Sequence, residues 1–268
     1  MVYRYIPLDR YRAGVRQRAA TLPMAAVMPN SPAEWWSLAQ YAPTPYNQGN
    51  LGSCTANAIC ALLKMINPDR TFDPSRLWIY TQELLMENPG QPLADRGANA
   101  ADGCTIVNRL GVCREELMPY TMDAALNVLD FGQMPSAAAI ADAAEHKFGL
   151  FQNATLEPLL GTIRALISQD IAVMMAFLVY PSFETAEDGI IPMPSAAELA
   201  AGPIGGHMVL ILGYGADRLQ VLNSWGATWG QAGLFQLPNA YLEAVAPNGE
   251  RLVSQLLIMG PVVRRPWN

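Results

Sequence analysis

Gln48-Gly49-Asn50-Leu51-Gly52-Ser53-Cys54 runs directly into Thr55-Ala56-Asn57-Ala58-Ile59-Cys60-Ala61-Leu62-Leu63. Ile59, Leu62, Leu63 and Ile66 fall at i, i+3, i+4 and i+7, which predicts a helix with one face on a core. Ser53 is placed to cap its start, and Asn67-Pro68-Asp69 ends it. Cys54 therefore opens a helix straight after a glycine turn. A thiol attacks a carbonyl as thiolate, and an ordinary cysteine, with a pKa of about 8.5, is mostly protonated at neutral pH. A helix N-terminus lowers that pKa, as does a nearby imidazole. Cys60 is mid-helix, and Cys104 and Cys113 flank another apolar helix, so these three read as small buried side chains.

A base for that thiol must come from two histidines, His146 and His207. His146 follows an alanine-rich helix and reads as a solvated helix-end residue. His207 lies in Gly205-Gly206-His207-Met208-Val209-Leu210-Ile211-Leu212-Gly213-Tyr214, at the start of a buried strand. The paired glycines allow another backbone to approach closely. Sixteen residues on comes Asn223-Ser224-Trp225-Gly226. An asparagine carbonyl there can accept from the imidazole N–H and hold the tautomer that faces the thiol.

These blocks together resemble the papain family of cysteine peptidases, in its bacterial, archaeal and large-virus branch. Gln48-Gly49-x-x-Gly52-Ser53-Cys54, Gly206-His207-Met208-Val209 through Gly213-Tyr214-Gly215, and Asn223-Ser224-Trp225-Gly226-x-x-Trp229-Gly230-x-x-Gly233 follow the family's order and spacing. Weaker similarities are Pro74-Ser75-Arg76-Leu77, Gly111-Val112-Cys113-x-Glu115 with Pro119-Tyr120, and Val179-Tyr180-x-Ser182-Phe183. The resemblance implies an α+β, two-lobed papain-like fold, with a helical N-terminal lobe, an antiparallel β-barrel-like C-terminal lobe and a cleft between them. It implies Cys54 as nucleophile, His207 as base and acid, Asn223 as orienting group, and an oxyanion hole of the Cys54 N–H and the Gln48 amide. Cys54 and His207 would rest as a thiolate–imidazolium pair at the seam and cleave peptide bonds through a thioester. Met175 and Met208 would line an apolar pocket for the second residue upstream of the scissile bond. Gly103 would offer its backbone to the substrate strand. Acyl transfer or amidase chemistry on the same triad, and a non-catalytic binding module, are the competing readings.

Three departures from the family pattern stand out. Leu51 occupies a position where many members carry a disulfide cysteine, Thr55 replaces a tryptophan, and Gly206 replaces an aspartate. The stretch before Gln48 lacks a long helical prosegment, although a short segment could still cross the cleft.

Residues 1–43 hold prolines 7, 23, 29, 32 and 43 and are expected to be irregular, with a short helix at 33–38. Residues 44–242 form the expected catalytic unit, with a helical lobe over 46–145 and a β-rich lobe over 146–260; 243–268 supply a last strand and tail. Further helices are expected at 75–87, 100–110, 137–148 and 156–168. From 172 onward, short apolar runs between turn residues predict strands at 172–180, 208–214, 219–222, 234–237 and 252–259. Hydrophobic residues make up 51% and charged residues 15%, so most of the chain should be buried. A net charge of -6 gives no electrostatic pull toward nucleic acid or anionic membrane. The arginine clusters at 4, 10, 12, 16 and 18 and at 264 and 265 read as solvated tails. The 19–27 stretch, broken by Pro23, is a poor signal peptide. No cofactor or metal is expected, since no Cys/His cluster has zinc spacing. The cysteines are spaced for free thiols, which favours the cytoplasm or another reducing compartment, while a virion component or secreted effector fits equally. The expected partner is a peptide or protein substrate.

Overall fold

The computed structural model describes residues 5–15, 34–123, 128–129, 134–149, 151–154 and 159–263. The 19–27 stretch and arginines 4, 16, 18, 264 and 265 lie outside them.

Among the described residues, six helices of eight residues or more run between Leu8 and Ile167. The first, α1 (Leu8–Val15), was not expected in the proline-rich extension. Pro7 stands just ahead of it, where a missing N–H costs a helix nothing. α2 (Cys54–Ile66) is buried from Cys54 through Leu63, so the predicted stripe is too narrow a description. α2 is a central helix, packed on α3 (Arg76–Glu87) and α4 (Ala100–Arg109) on one side and the sheet on the other. Ser75 Oγ accepts from the Trp78 N–H and caps α3; Asn99 caps α4 in the same way. Ser53 does not cap α2. Its hydroxyl pairs instead with Tyr120 Oη at 2.6 Å. α5 (Ala137–Glu145) and α6 (Leu159–Ile167) complete the set.

A seven-stranded sheet with antiparallel ladders is built mainly by the second half. The strands are β1 (Trp36–Ser37), then the separate ribbon β2 (Met122–Asp123) and β3 (Val128–Leu129), then β4 (Gln152–Asn153), β5 (Val173–Val179), β6 (Gly205–Tyr214), β7 (Arg218–Leu222), β8 (Leu234–Pro238) and β9 (Val253–Ile258). The order is β4-β9-β5-β6-β7-β8, with β1 on the far end of β6. Every residue of β5 and β6 is buried, which is why both read as unbroken apolar runs. The helix expected at 33–38 is β1 in its described part. Trp36 and Ser37 pair with Tyr214 and Gly213, and a side chain at Gly213 would meet the Trp36 carbonyl at 2.7 Å. One continuous apolar core runs through both halves.

Candidate active site

The loop before α2 is held from both lobes. Gln48 N–H donates to the Ser224 carbonyl and Gly226 N–H to the Tyr46 carbonyl, each at 2.8 Å, stitching the Gln48 loop to the Asn223 loop. Gly49 takes φ +59, the left-handed region that favours glycine. Tyr120 Oη donates to the Gln48 carbonyl at 2.9 Å, and the Arg76 guanidinium lies between the Tyr46 and Tyr120 rings, backed by Glu115 at 3.1 Å. The Gln48 amide is fixed at both ends: Nε2 donates to the Leu51 carbonyl at 2.9 Å, and Oε1 accepts from Ser224 Oγ at 2.6 Å.

His207 rises from β6, and its Nε2 lies 2.8 Å from Asn223 Oδ1. That oxygen also accepts from the Ser224 N–H at 2.8 Å, so it is an acceptor and His207 Nε2 carries the proton. His207 Nδ1 is therefore the basic nitrogen of the neutral ring. It is buried and, among the described residues, has no hydrogen-bond partner. Trp225 stacks on the imidazole at 5.3 Å and shields the Asn223 bond from water. Phe183 packs edge-on against Trp225 and stacks on Trp229. On the facing helix the Cys54 thiol meets the backbone N–H groups of Met208, Thr55 and Cys54 itself. Met208 follows His207 in β6, so the thiol lies against the strand that carries the ring.

Burial opposes charge on both groups in this conformation. Burial pushes the Cys54 thiol up to about 12, against the lowering by its three N–H neighbours. Burial likewise drives His207 down to about 4, although Asn223 supports its protonated form. Both shifts run against a charged pair while the site is buried, because desolvation penalises thiolate and imidazolium alike.

The cover responsible is partly the chain's own N-terminal segment. Ile6 exchanges both backbone hydrogen bonds with Gly206, at 2.8 and 2.9 Å. The Tyr5 ring stands edge-on to His207 at 6.0 Å, and its hydroxyl donates to Glu184. Tyr11 lies against Gly206, where a Cβ would come within 2.0 Å of the ring. Arg10 pairs with Glu87 at 2.9 Å, and Arg12 grips Glu250 through two nitrogens. These two arginines are anchors of a strap, not a solvated tail. The close backbone approach that Gly205 and Gly206 permit is made by this strap.

An acid-driven opening follows. A conformation in which His207 titrates at about 4 binds fewer protons than one with an ordinary imidazole near 6.5. Covering is therefore fully favoured above about pH 6.5 and loses ground as pH falls toward about 4, by at most about 3 kcal/mol. Protonation of Glu250, which Arg12 holds below the usual carboxylate range, acts in the same direction. Hydrogen exchange at the Ile6 and Gly206 amides, corrected for intrinsic rates, should accelerate across that window. Constant protection down to about pH 4 would refute the linkage.

Three further expected residues separate in the structure. Met208 is opposite Ala176 across the β5–β6 ladder, and these two share a cavity with Ile6, Ala98, Asn99 and Gln255. Met175 pairs with Val209 and so points to the other face of the sheet. Ala176, not Met175, is the cavity residue. Gly103 is also displaced from its expected place: it sits inside α4 with its N–H on the Asn99 carbonyl, and its missing side chain makes room for Glu83 and Ile59. A helical backbone so committed cannot pair with a strand. Gly97 and Ala98 lie against the N-terminal segment, Gly97 beside Ile6 and Pro7 and Ala98 in the cavity with Ile6.

Comparison with known proteins agrees with this geometry. A family model described as papain family cysteine protease matches residues 35–244. An uncharacterised peptidase C1-like protein of Acanthamoeba polyphaga mimivirus is 32% identical over 212 residues, 73% of this chain; the chain spans 64% of that relative's length. Xylellain, a cysteine protease from Xylella fastidiosa, superposes with a TM-score of 0.73 at 23% identity, over 98% of this chain and 100% of its own. The proform of the ragweed pollen allergen Amb a 11, a cysteine protease, gives 0.67 at 21% identity, over 94% of this chain and 73% of its own. A Carica candamarcensis cysteine protease solved with E-64 gives 0.61 at 18% identity, over 86% and 99%. With a buried thiol at a helix start, an imidazole oriented by asparagine and a matching family model over most of its length, the chain belongs to the papain family of cysteine proteases.

Proposed function

We propose that the chain hydrolyses peptide bonds through Cys54, His207 and Asn223. The observation that carries this reading is the His207–Asn223 pair, which leaves a basic Nδ1 on the side of the ring away from Asn223. Once the strap lifts and water reaches the site, His207 Nδ1 takes the Cys54 proton and the thiolate attacks the substrate carbonyl. The Cys54 N–H and the Gln48 amide stabilise the oxyanion, the imidazolium protonates the leaving amine, and water hydrolyses the thioester. The cavity holding Ile6 is assigned to the side chain two residues upstream of the scissile bond. Its walls, Ala98, Ala176 and Met208 with Gln255 at one side, favour an aliphatic residue.

An epoxide probe of the E-64 type on the full chain tests the assignment, followed by peptide mapping. Labelling is expected at Cys54 alone and should be lost in His207→Ala. Equal modification of Cys60, Cys104 and Cys113 would identify the site as unactivated. A peptide-library digest then reads the cavity preference and separates hydrolysis from aminolysis products.

A further inference from the structure

Behind the nucleophile lies a carboxyl group that the mechanism above does not use. Glu83 of α3 is fully buried. Its Oε2 accepts from Thr55 Oγ1 at 2.9 Å, while Oε1 has no hydrogen-bond partner among the described residues. Space for it exists because residue 103 is glycine: a Cβ there would fall 2.2 Å from Oε1. Thr55, itself buried, follows Cys54 in α2, and its backbone N–H is one of the three that reach the Cys54 thiol. Thr55 is bonded directly to Cys54, so the Glu83 carboxyl stands one hydroxyl and one peptide unit behind the nucleophile.

We infer that Glu83 is a positioning residue for the nucleophile, acting on Cys54 through Thr55. Oε2 fixes the Thr55 side chain, and with it the first turn of α2, so that the Thr55 N–H points at the sulfur and favours its thiolate. The charge state of Glu83 is set by what faces it. Glu87 and Tyr80 on α3, Asp102 and Cys104 on α4, and Cys54 on α2 are the titratable neighbours, and none is a cation. Burial, then the acidic Glu87, raise its pKa well above the usual carboxylate range. A neutral acid keeps its acceptor oxygen for Thr55 without setting a negative charge beside a thiolate. The role needs an acceptor, not an ionised carboxylate.

This inference rests on Cys54 being the nucleophile, so its test reads the thiol separately from turnover. Two variants of nearly native side-chain volume are made in the full chain, Glu83→Gln and Thr55→Val, and their folding is checked by thermal denaturation. The pH dependence of Cys54 alkylation by iodoacetamide is followed by mass spectrometry, with kcat and KM measured in parallel. Glu83→Gln keeps an acceptor for Thr55 and should leave the alkylation midpoint and kcat close to wild type. Thr55→Val loses the anchor: the midpoint should rise by about one pH unit and kcat fall about tenfold with KM little changed. Unaltered alkylation and kcat in Thr55→Val would overturn the inference. So would a Glu83→Gln variant as impaired as Thr55→Val, because the ionisable carboxyl itself would then be required. Loss of peptidase assignment shows differently, as turnover surviving Cys54→Ala.

Discussion

Cys54→Ala is expected to abolish turnover, by at least about 10³-fold in kcat, while fold and substrate affinity persist. The sulfur is the only atom of that side chain the chemistry needs. Replacing a small buried thiol by alanine removes one heavy atom from a packed site, a loss of about 1 kcal/mol or less in stability. No other thiol can stand in. Cys60 lies nearly two turns further along α2, Cys104 sits within α4, and Cys113 lies beyond the end of α4, all three buried. The measurement is steady-state hydrolysis of a peptide found by library digestion, with binding to the variant followed by calorimetry. Hydrolysis above background by the folded variant would place the nucleophile elsewhere. Intact activity with lost binding would exclude the scheme equally.

Much of this site is legible in the sequence because its parts are local. A glycine turn followed by a cysteine and an apolar period of 3.6 places Cys54 at a helix start. Gly205-Gly206 ahead of His207 signals a close backbone contact, and Asn223 lies a strand and a turn away. What the sequence hides is pairing between distant segments. Tyr120, seventy-two residues from Gln48, holds the Gln48 loop by its hydroxyl, and nothing in Pro119-Tyr120 points to that partner. Met175 and Ala176 differ by one residue, and in a strand one residue decides the face; only the register with Met208 chooses between them. Gly103 looks available in sequence but is committed once α4 forms around it. Thr55 is visible as a departure from the family pattern, and its meaning appears only when α3 brings Glu83 against it. The strap is the clearest case. Proline-rich composition signals irregular chain, whereas Ile6 and Tyr11 are ordered by burial against Gly206, a tertiary contact some two hundred residues away in the chain.

Ile6→Asp is expected to raise the initial rate of the full chain by roughly two orders of magnitude if covering limits turnover. The strap has polar and apolar anchors, and their worth differs. Arg12 is 44% exposed where it meets Glu250, so that ion pair contributes about 1 kcal/mol at most. Ile6 is 3% exposed. Burying such a side chain stabilises the covered state by about 2–3 kcal/mol, and an aspartate in its place would be a buried charge facing Ala98, Ala176 and Met208. The strap should then leave the cleft, water should reach Cys54 and His207, and the burial that raises the thiol and lowers the imidazole should fall. Arg12→Ala serves as the comparison: losing one exposed pair should raise the rate by less than about fivefold. Adding Cys54→Ala to Ile6→Asp must return the rate to background, which ties the gain to this site. A folded Ile6→Asp protein no faster than wild type would mean that the segment over Gly206 does not control access, and that the burial of Cys54 and His207 is the work of the two lobes alone.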